Sequence, residues 1–388
     1  MDMSNQLNHF AGSMKPSEIL TFNQKISNLP NLIKLTLGEP DFNTPEHVKD
    51  AAIKAIRDNH SHYANPRGIL PLRKAAAKFL SDKYNLHYDP KTQIQVTTGV
   101  SQGIHSVFEA ILNPGDEVII PTPIFGFYIP NVIKNGGKPV FVNLSKDNYI
   151  LTPQRLENVL KHHHHVKAIV MNYPNNPVGN TYTRQQLVAL AKVIKKYHIF
   201  CVSDEIYSEL TYVHPHTSMG EILPDQDIMM NGVSKTFAMT GYRIGIVCGP
   251  SKVINAVANM SCITTTAAST PIQYAAAEAF RNGENDGLKM RKIYKQRRDL
   301  LRNGLAKAGF TSPEPSGAFY IFAKIPGQFT QNSLKFATQL AKEARVGVVP
   351  GNAFGPGGEG HLRISYAAST DDIKEAVKRI QAFVKKHS

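Results

Sequence analysis

The chain has 388 residues, 42% of them apolar and 19% charged, with a formal net charge of +14. That length suggests two folded units with substantial cores, and the balance of residue types excludes a disordered, fibrous or small disulfide-stapled protein. The positive charge suits small anionic ligands, because the lysines are scattered, as at Lys192, Lys195 and Lys196, and no basic run interleaved with aromatics points to nucleic acid.

Cys201, Cys248 and Cys262 lie far apart without CxxC spacing, which argues against a disulfide framework or a zinc site and fits reduced thiols in the cytoplasm. The N-terminal stretch MDMSNQLNHFAGSMKPSE is polar, and no stretch approaches the ~20 apolar residues that span a bilayer. Neither secretion nor membrane insertion is expected.

Short apolar runs alternate with longer helical patterns through the middle of the chain, the pattern of βα units that build a mostly parallel sheet. Seven strands are predicted: Ile94 to Thr98, Glu117 to Pro121, Lys138 to Val142, Lys167 to Asn172, Phe200 to Asp204, Asp227 to Val233 and Arg243 to Cys248. Their near-continuous Val, Ile and Met content implies burial on both faces. Gly99 follows the first strand, and a helical pattern from Ser101 to Ala110 opens there, so a helix start offers free backbone N–H groups to an anion. His162 to His165 invite a metal reading, but four consecutive side chains cannot converge on one ion. They are read as exposed in a loop before Lys167, and no metal is expected.

The Ala-rich stretch after Ser261 and the charged segment Asn282 to Gly304 are together predicted as a long connecting helix. From about Phe310 the pattern changes, with short strands predicted at Ala318 to Lys324, Val346 to Val349 and His361 to Ser365 between two helices. The expected organisation is a large α/β domain over residues 46–285, a smaller α/β domain over 286–388, and an N-terminal segment, 1–45, packing with the small domain.

Three motifs carry chemistry. In SKTFAMTGYRIG, Lys235 falls in a short loop after a strand, with Arg243 eight residues on. A lysine so placed can form a Schiff base once unprotonated, and a nearby cation with partial burial lowers its pKa. In VSDEIY, Asp204 ends a buried strand and Tyr207 follows three positions later. A carboxylate there needs a partner, and a protonated pyridine nitrogen is one. Glu205 could equally be the buried acid, and a strand-end carboxylate can also cap the next helix. In NYPNNPVG, Asn176 lies just past a strand, where ligands gather in an open α/β sheet, although NPxG alone signals only a turn.

Together SDEIYSELTY, SKTFAMTGYRIG, NYPNNPVG and LTLGEPDF resemble the class I aminotransferases, the fold-type I enzymes that use pyridoxal 5'-phosphate, over nearly the whole chain. The resemblance implies Lys235 as the aldimine lysine and proton shuttle, Asp204 as the partner of the pyridine nitrogen, and Tyr207 and Asn176 as donors to the ring oxygen. It implies a phosphate cup of Arg243, Ser234, and Val100 and Ser101 of TTGVSQG. Tyr63 of HYANPRG would reach into that cup from a partner subunit, so a homodimer is expected. Phe125, in PTPIFGFY, matches the aromatic that stacks on the ring. Arg363, in HLRISYA, matches the arginine that grips the substrate α-carboxylate, a task suited to bidentate geometry. Gly38, in LTLGEP, would bring a backbone N–H to the same carboxylate with no side chain in the way. Alone, each of these reads as core aromatic, structural phenol, surface charge or turn glycine; their order along one chain is what carries the resemblance.

Three positions depart from the commonest pattern: Tyr242 replaces a frequent tryptophan, Val178 a threonine, and Gly232 a phosphate-binding serine. These bear on the set of phosphate contacts and leave the lysine chemistry untouched.

The implied activity is transfer of an amino group from an amino acid to a 2-oxo acid such as 2-oxoglutarate. PSGAFYIFAKIP with LTLGEPDF most resembles the aromatic aminotransferases, with the N-acetyl-diaminopimelate aminotransferases close beside them. Phe319, Tyr320 and the segment around Phe10 are expected to shape the side-chain pocket. A carbon-sulfur β-lyase shares the fold and is a rival reading. A DNA-binding regulator that senses the same cofactor is another, and the chain begins too close to the catalytic-type domain to hold its DNA-binding unit.

Overall fold

Seven strands form one sheet: β1 (Ile94–Thr97), β2 (Glu117–Thr122), β3 (Lys138–Asn143), β4 (Val166–Asn172), β5 (Phe200–Asp204), β6 (Asp227–Gly232) and β7 (Gly245–Cys248). In this computed structural model, which describes residue 3 and residues 6–387, their order is β1-β7-β6-β5-β4-β2-β3. The pairs from β3 across to β6 are parallel, and β7 is antiparallel to both β6 and β1. Every strand is almost wholly buried except β3, whose edge position leaves Lys138, Phe141 and Asn143 exposed. The seventh strand starts at Gly245 rather than Arg243, because Arg243 takes a left-handed conformation, φ +57°, just before it.

This topology fixes where a ligand sits. The carboxyl ends of parallel strands share one edge of the sheet, and ligands bind outside that edge. At it β1 runs into Gly99, β4 ends at Asn172, β5 ends at Asp204, and β6 leads to Lys235; β7, running the other way, begins there just after Arg243. The helix α2 (Gly99–Ile111) starts at the same edge and rests Ile104, Val107 and Phe108 on Val170, Val202 and Met230 of the sheet. Each such buried side chain contributes ~1.5–3 kcal/mol, so the helix start is held firmly over the strand ends.

The N-terminal helix α1 (Glu18–Ile26), capped by the Ser17 hydroxyl accepting from the Leu20 N–H, buries Phe22 and Ile26. These join Leu35 in one core with Phe319, Phe336, Leu340 and Ile380 from the far end of the chain. The predicted connecting helix is broken at Gly283: the Ala-rich part forms a separate helix, Thr270–Asn282, and the charged part forms α3 (Glu284–Lys307); the chain ends on α4 (Thr370–His387). Between them β8 (Tyr320–Lys324), β9 (Val349–Pro350) and β10 (His361–Ser365) form an antiparallel sheet in the order β9-β10-β8. The strand predicted over Val346 to Val349 is split. Val346–Gly347 pairs in parallel with Ile33–Lys34, and only Val349–Pro350 joins β10. Alternation of apolar residues cannot reveal a chain that changes ladder partners midway.

Of the four consecutive histidines, His162 ends a helix and His163 Nδ1 lies 3.0 Å from Glu117 Oε1. Among the described residues no group of three or more His, Cys, Asp or Glu side chains gathers to hold a metal ion, and no helix is long and apolar enough to cross a membrane. Cys201, Cys248 and Cys262 are all unpaired.

Candidate active site

A cavity of about 290 Å³ opens at the carboxyl edge of the sheet, between it and the elements carrying Thr36, Tyr320 and Arg363. Every expected site residue except Tyr63, Phe319 and Phe10 lines it. Tyr63 is 88% exposed and stands on the surface of its own protomer.

Lys235 is held by the loop after β6, and its Nζ donates to the Gly38 carbonyl at 2.6 Å. Burial is the main reason its amine falls to about 8; Arg243 and Arg363 push the same way, and Glu39 and Asp204 oppose them. The expected effect of Arg243 is therefore present but secondary. Such an amine is unprotonated often enough near neutral pH to act as nucleophile and base.

Asp204 ends β5 with its carboxylate buried. Its Oδ2 accepts from the Tyr128 hydroxyl at 2.5 Å and its Oδ1 from the Ile206 N–H at 3.2 Å. Burial pushes the acid up to about 6, while those two hydrogen bonds and the Lys235 charge counter it. A cationic ring nitrogen placed against it would restore the ionised form. Glu205 takes no part in this cavity. Its Oε1 accepts from the hydroxyls of Tyr173 and Ser218, both at 2.8 Å, on the opposite side of the strand. Of the two acids, only Asp204 lines the cavity.

The start of α2 forms an anion cradle. Thr98 stands at the cap position, yet its side chain makes no capping hydrogen bond, so the first-turn N–H groups at Val100 and Ser101 are left for a ligand. A Cβ on Gly99, which sits at φ +71°, would come within 2.4 Å of Arg243 Nη2, and one on Gly245 within 2.6 Å of the Val100 nitrogen. Only glycine at both positions lets the guanidinium and the helix start share one space. Arg243 is itself anchored by Nη1 donating to the Thr240 carbonyl at 2.8 Å, and Ser234 borders the same cavity. Gly232 does not. A Cβ there would stand 2.7 Å from the Ile244 carbonyl oxygen, so the β6–β7 pairing leaves no room for a serine. The donor set of backbone N–H groups, a hydroxyl and an arginine fits a phosphate, and the buried acid in the same cavity, Asp204, fits a pyridine nitrogen.

Arg363, on β10, is 2% exposed. Its Nη1 donates to Asn176 Oδ1 at 2.9 Å and its Nη2 to the Thr36 carbonyl at 2.7 Å, and the guanidinium lies 4.6 Å from the Tyr320 ring centroid. Among the described residues no carboxylate pairs with it. A buried cation supported only by neutral groups calls for an anionic ligand.

Other expected residues sit differently from their sequence reading. The Tyr207 hydroxyl meets that of Tyr320 at 2.9 Å, and Lys235 Nζ lies 6.0 Å from the Tyr207 ring centroid. Gly38 offers its carbonyl to Lys235, and a Cβ on it would come to 3.0 Å from the Tyr320 hydroxyl. Phe125 borders the cavity with Phe127 against it, ring centroids 4.7 Å apart. The expected side-chain pocket needs correcting. Tyr320 lines the cavity as expected, but Phe319 is core and Phe10 lies on a separate short helix; the rest of the wall is Ile19 and Leu20 of α1, with Leu37. The sequence reading also missed Tyr128, Thr36 and Asn172, which join the site through long-range contacts that no local motif encodes.

Residues 30–380 match the family model for aminotransferase class I and II. The chain is 40% identical over 384 residues to a probable N-acetyl-LL-diaminopimelate aminotransferase of Bacillus subtilis, covering 99% of this chain and 97% of that one. It is also 40% identical to the aspartate/prephenate aminotransferase of Thermus thermophilus, over 95% of this chain and 96% of the other. Among solved structures, an aromatic aminotransferase from Pyrococcus horikoshii superposes with a TM-score of 0.89 at 37% identity, over 94% of this chain and 99% of that chain. The chain thus belongs to the class I and II aminotransferases, of fold type I, with pyridoxal 5'-phosphate as cofactor.

Proposed function

We propose that this aminotransferase takes the amino group of an aromatic amino acid and delivers it to a 2-oxo acid such as 2-oxoglutarate. The observation that carries the reading is Arg363, a buried guanidinium with no counter-charge in the same cavity as the low-pKa Lys235. When bound, the cofactor supplies an aldehyde carbon to receive an amino group and a heterocycle that accepts electron density. Val100 and Ser101 N–H groups, Ser234 and Arg243 would hold its phosphate, and Phe125 would cover its ring. Asp204 would keep the ring nitrogen protonated, and Asn176 and Tyr207 would meet the ring oxygen.

Arg363, oriented by Asn176 and Thr36, binds the substrate α-carboxylate, with Gly38 alongside. Lys235 Nζ, released from the Gly38 carbonyl, takes the proton from the substrate α-carbon and later returns it. Tyr63 completes the phosphate site of a partner subunit, making a homodimer the working unit. The division into a segment over 1–45, a large domain over 46–285 and a small domain over 286–388 belongs to the same proposal, with residues 1, 2, 4, 5 and 388 outside the described ones. A cytoplasmic setting fits three unpaired thiols.

Two features support an aromatic side chain. Ile19, Leu20 and Leu37 give the cavity an apolar wall, and its only cations among the described residues are Lys235, Arg243 and Arg363, each already engaged in the roles above. A second acidic group on the substrate would find no free positive partner in the same protomer. The Bacillus subtilis relative at 40% identity supports a second reading, N-acetyl-diaminopimelate as amino donor. Phenylalanine, tyrosine, N-acetyl-diaminopimelate and aspartate, each offered with 2-oxoglutarate, separate the readings by kcat/KM. Preference for phenylalanine or tyrosine is expected; preference for the acetylated substrate overturns the aromatic reading. Release of pyruvate and ammonia from cystathionine without an acceptor would instead indicate the β-lyase.

A further inference from the structure

Behind the cavity lies a buried polar cluster that the reaction as described does not use. Glu205, fully buried, follows Asp204 in the chain. Its Oε1 accepts from Tyr173 Oη at 2.8 Å, Ser218 Oγ at 2.8 Å and the Met219 N–H at 3.1 Å, and its Oε2 lies 2.7 Å from His216 Nε2. The His216 ring stacks on Tyr173, centroids 5.4 Å apart and planes 25° from parallel.

Tyr173 opens the turn that carries Asn176. That turn is tied to the end of β5 twice more, by the Tyr173 N–H and Asn172 Nδ2, both donating to the Asp204 carbonyl at 3.2 Å. Asn172 Oδ1 accepts from the Asn176 N–H at 2.9 Å, and Asn176 Oδ1 accepts from Arg363 Nη1 at 2.9 Å. An unbroken path of bonds runs from Glu205 through Tyr173, Asn172 and Asn176 to the guanidinium.

We propose that Glu205, with Tyr173 and His216, is a positioning cluster that sets the grip of Arg363 on the substrate carboxylate by fixing the Asn176 turn against the end of β5. A turn that merely had to be packed could be held by apolar residues, without the desolvation cost of a carboxylate. A satisfied polar network instead defines one arrangement and resists small displacements. The proposal rests on reading Arg363 as the carboxylate site.

The test measures binding of a carboxylate that lacks an amino group and so cannot react: 3-phenylpropanoate, or maleate where that binds tighter. Calorimetry on the holoenzyme gives the affinity, and thermal unfolding is followed in parallel. Arg363→Ala should abolish binding. Glu205→Ala should weaken it about tenfold, and Tyr173→Phe, which removes one hydroxyl, in the same direction. Glu205→Gln should recover most of the affinity, since its amide oxygen still accepts from Tyr173 and its amide N–H can donate to the other tautomer of His216. In turnover, KM for the amino acid should rise more than kcat falls, the mark of lost ground-state binding.

If Glu205→Ala fails to fold, Tyr173→Phe carries the test. Affinity equal to wild type in both Glu205→Ala and Tyr173→Phe, or a lowered unfolding temperature with unchanged affinity, overturns the positioning role. Normal binding by Arg363→Ala, or no binding by the wild type, sinks the reading of the site itself.

Discussion

Tyr128 donates its hydroxyl to Asp204 Oδ2 at 2.5 Å across 76 residues of chain, joining the start of a helix after β2 to the end of β5. The bond offsets part of the burial that lifts the acid from 3.8 to about 6. Between those two values the folded apoprotein binds more protons at this site than the unfolded chain does. Stability from Asp204 therefore falls as pH rises through the window and stays lower above it. Thermal unfolding of the apoprotein from pH 4 to 7 should show this fall relative to Asp204→Asn. Tyr128→Phe should deepen it, because the ionised acid then loses a donor. Parallel pH profiles for wild type and Asp204→Asn would contradict the assignment.

The Lys235 amine, held down to about 8 chiefly by burial, sets a second pH dependence. The unprotonated fraction grows as pH rises and saturates above that value. Covalent capture of pyridoxal by the apoprotein should accelerate up to about pH 8 and then level off. A rate still climbing toward 10.5, the ordinary lysine value, would show that the amine is not desolvated. Lys235→Ala should lose ~10²–10⁴-fold in turnover for the proton transfer alone; wild-type turnover would remove the lysine from the mechanism.

Arg363→Lys keeps the charge and loses the fork that faces Asn176, Thr36 and a carboxylate together. Loss of a charged hydrogen bond in a buried site corresponds to a ~10- to 100-fold rise in KM for the amino acid. Steady-state kinetics with an unchanged KM would place the substrate carboxylate elsewhere.

Much of the fold was legible because strands buried on both faces write continuous apolar runs, and six of the seven in the large sheet begin within a residue of their predicted starts. That Lys235, Asp204 and the helix start at Val100 and Ser101 share one cavity was legible for a related reason: they sit at strand ends, next to their own motifs. Tyr128 and Thr36 were not. Their value lies in what they touch, Asp204 and Arg363, and those contacts are made by tertiary packing. The pocket wall was misplaced for the same cause. Phe319 looked like a wall residue, but it lies in the turn just before β8 and packs into the core, and Tyr320, the first residue of β8, lines the cavity.

The exposure of Tyr63 gives the subunit exchange experiment a clear sign. Mixed dimers of Lys235→Ala with Tyr63→Ala contain one site with both residues intact if the phenol acts across the interface, and none if it acts within its own chain. Activity should reappear on mixing two nearly inactive homodimers. No recovery in verified mixed dimers would assign Tyr63 to its own subunit or to no site.

Reduction of the holoenzyme with borohydride, followed by proteolysis and mass mapping, asks most directly where the cofactor is attached. The reduced pyridoxyl group should be found on the peptide containing Lys235, at one equivalent per chain. Its appearance on a different lysine, or on no peptide, would contradict the chemistry assigned to this site.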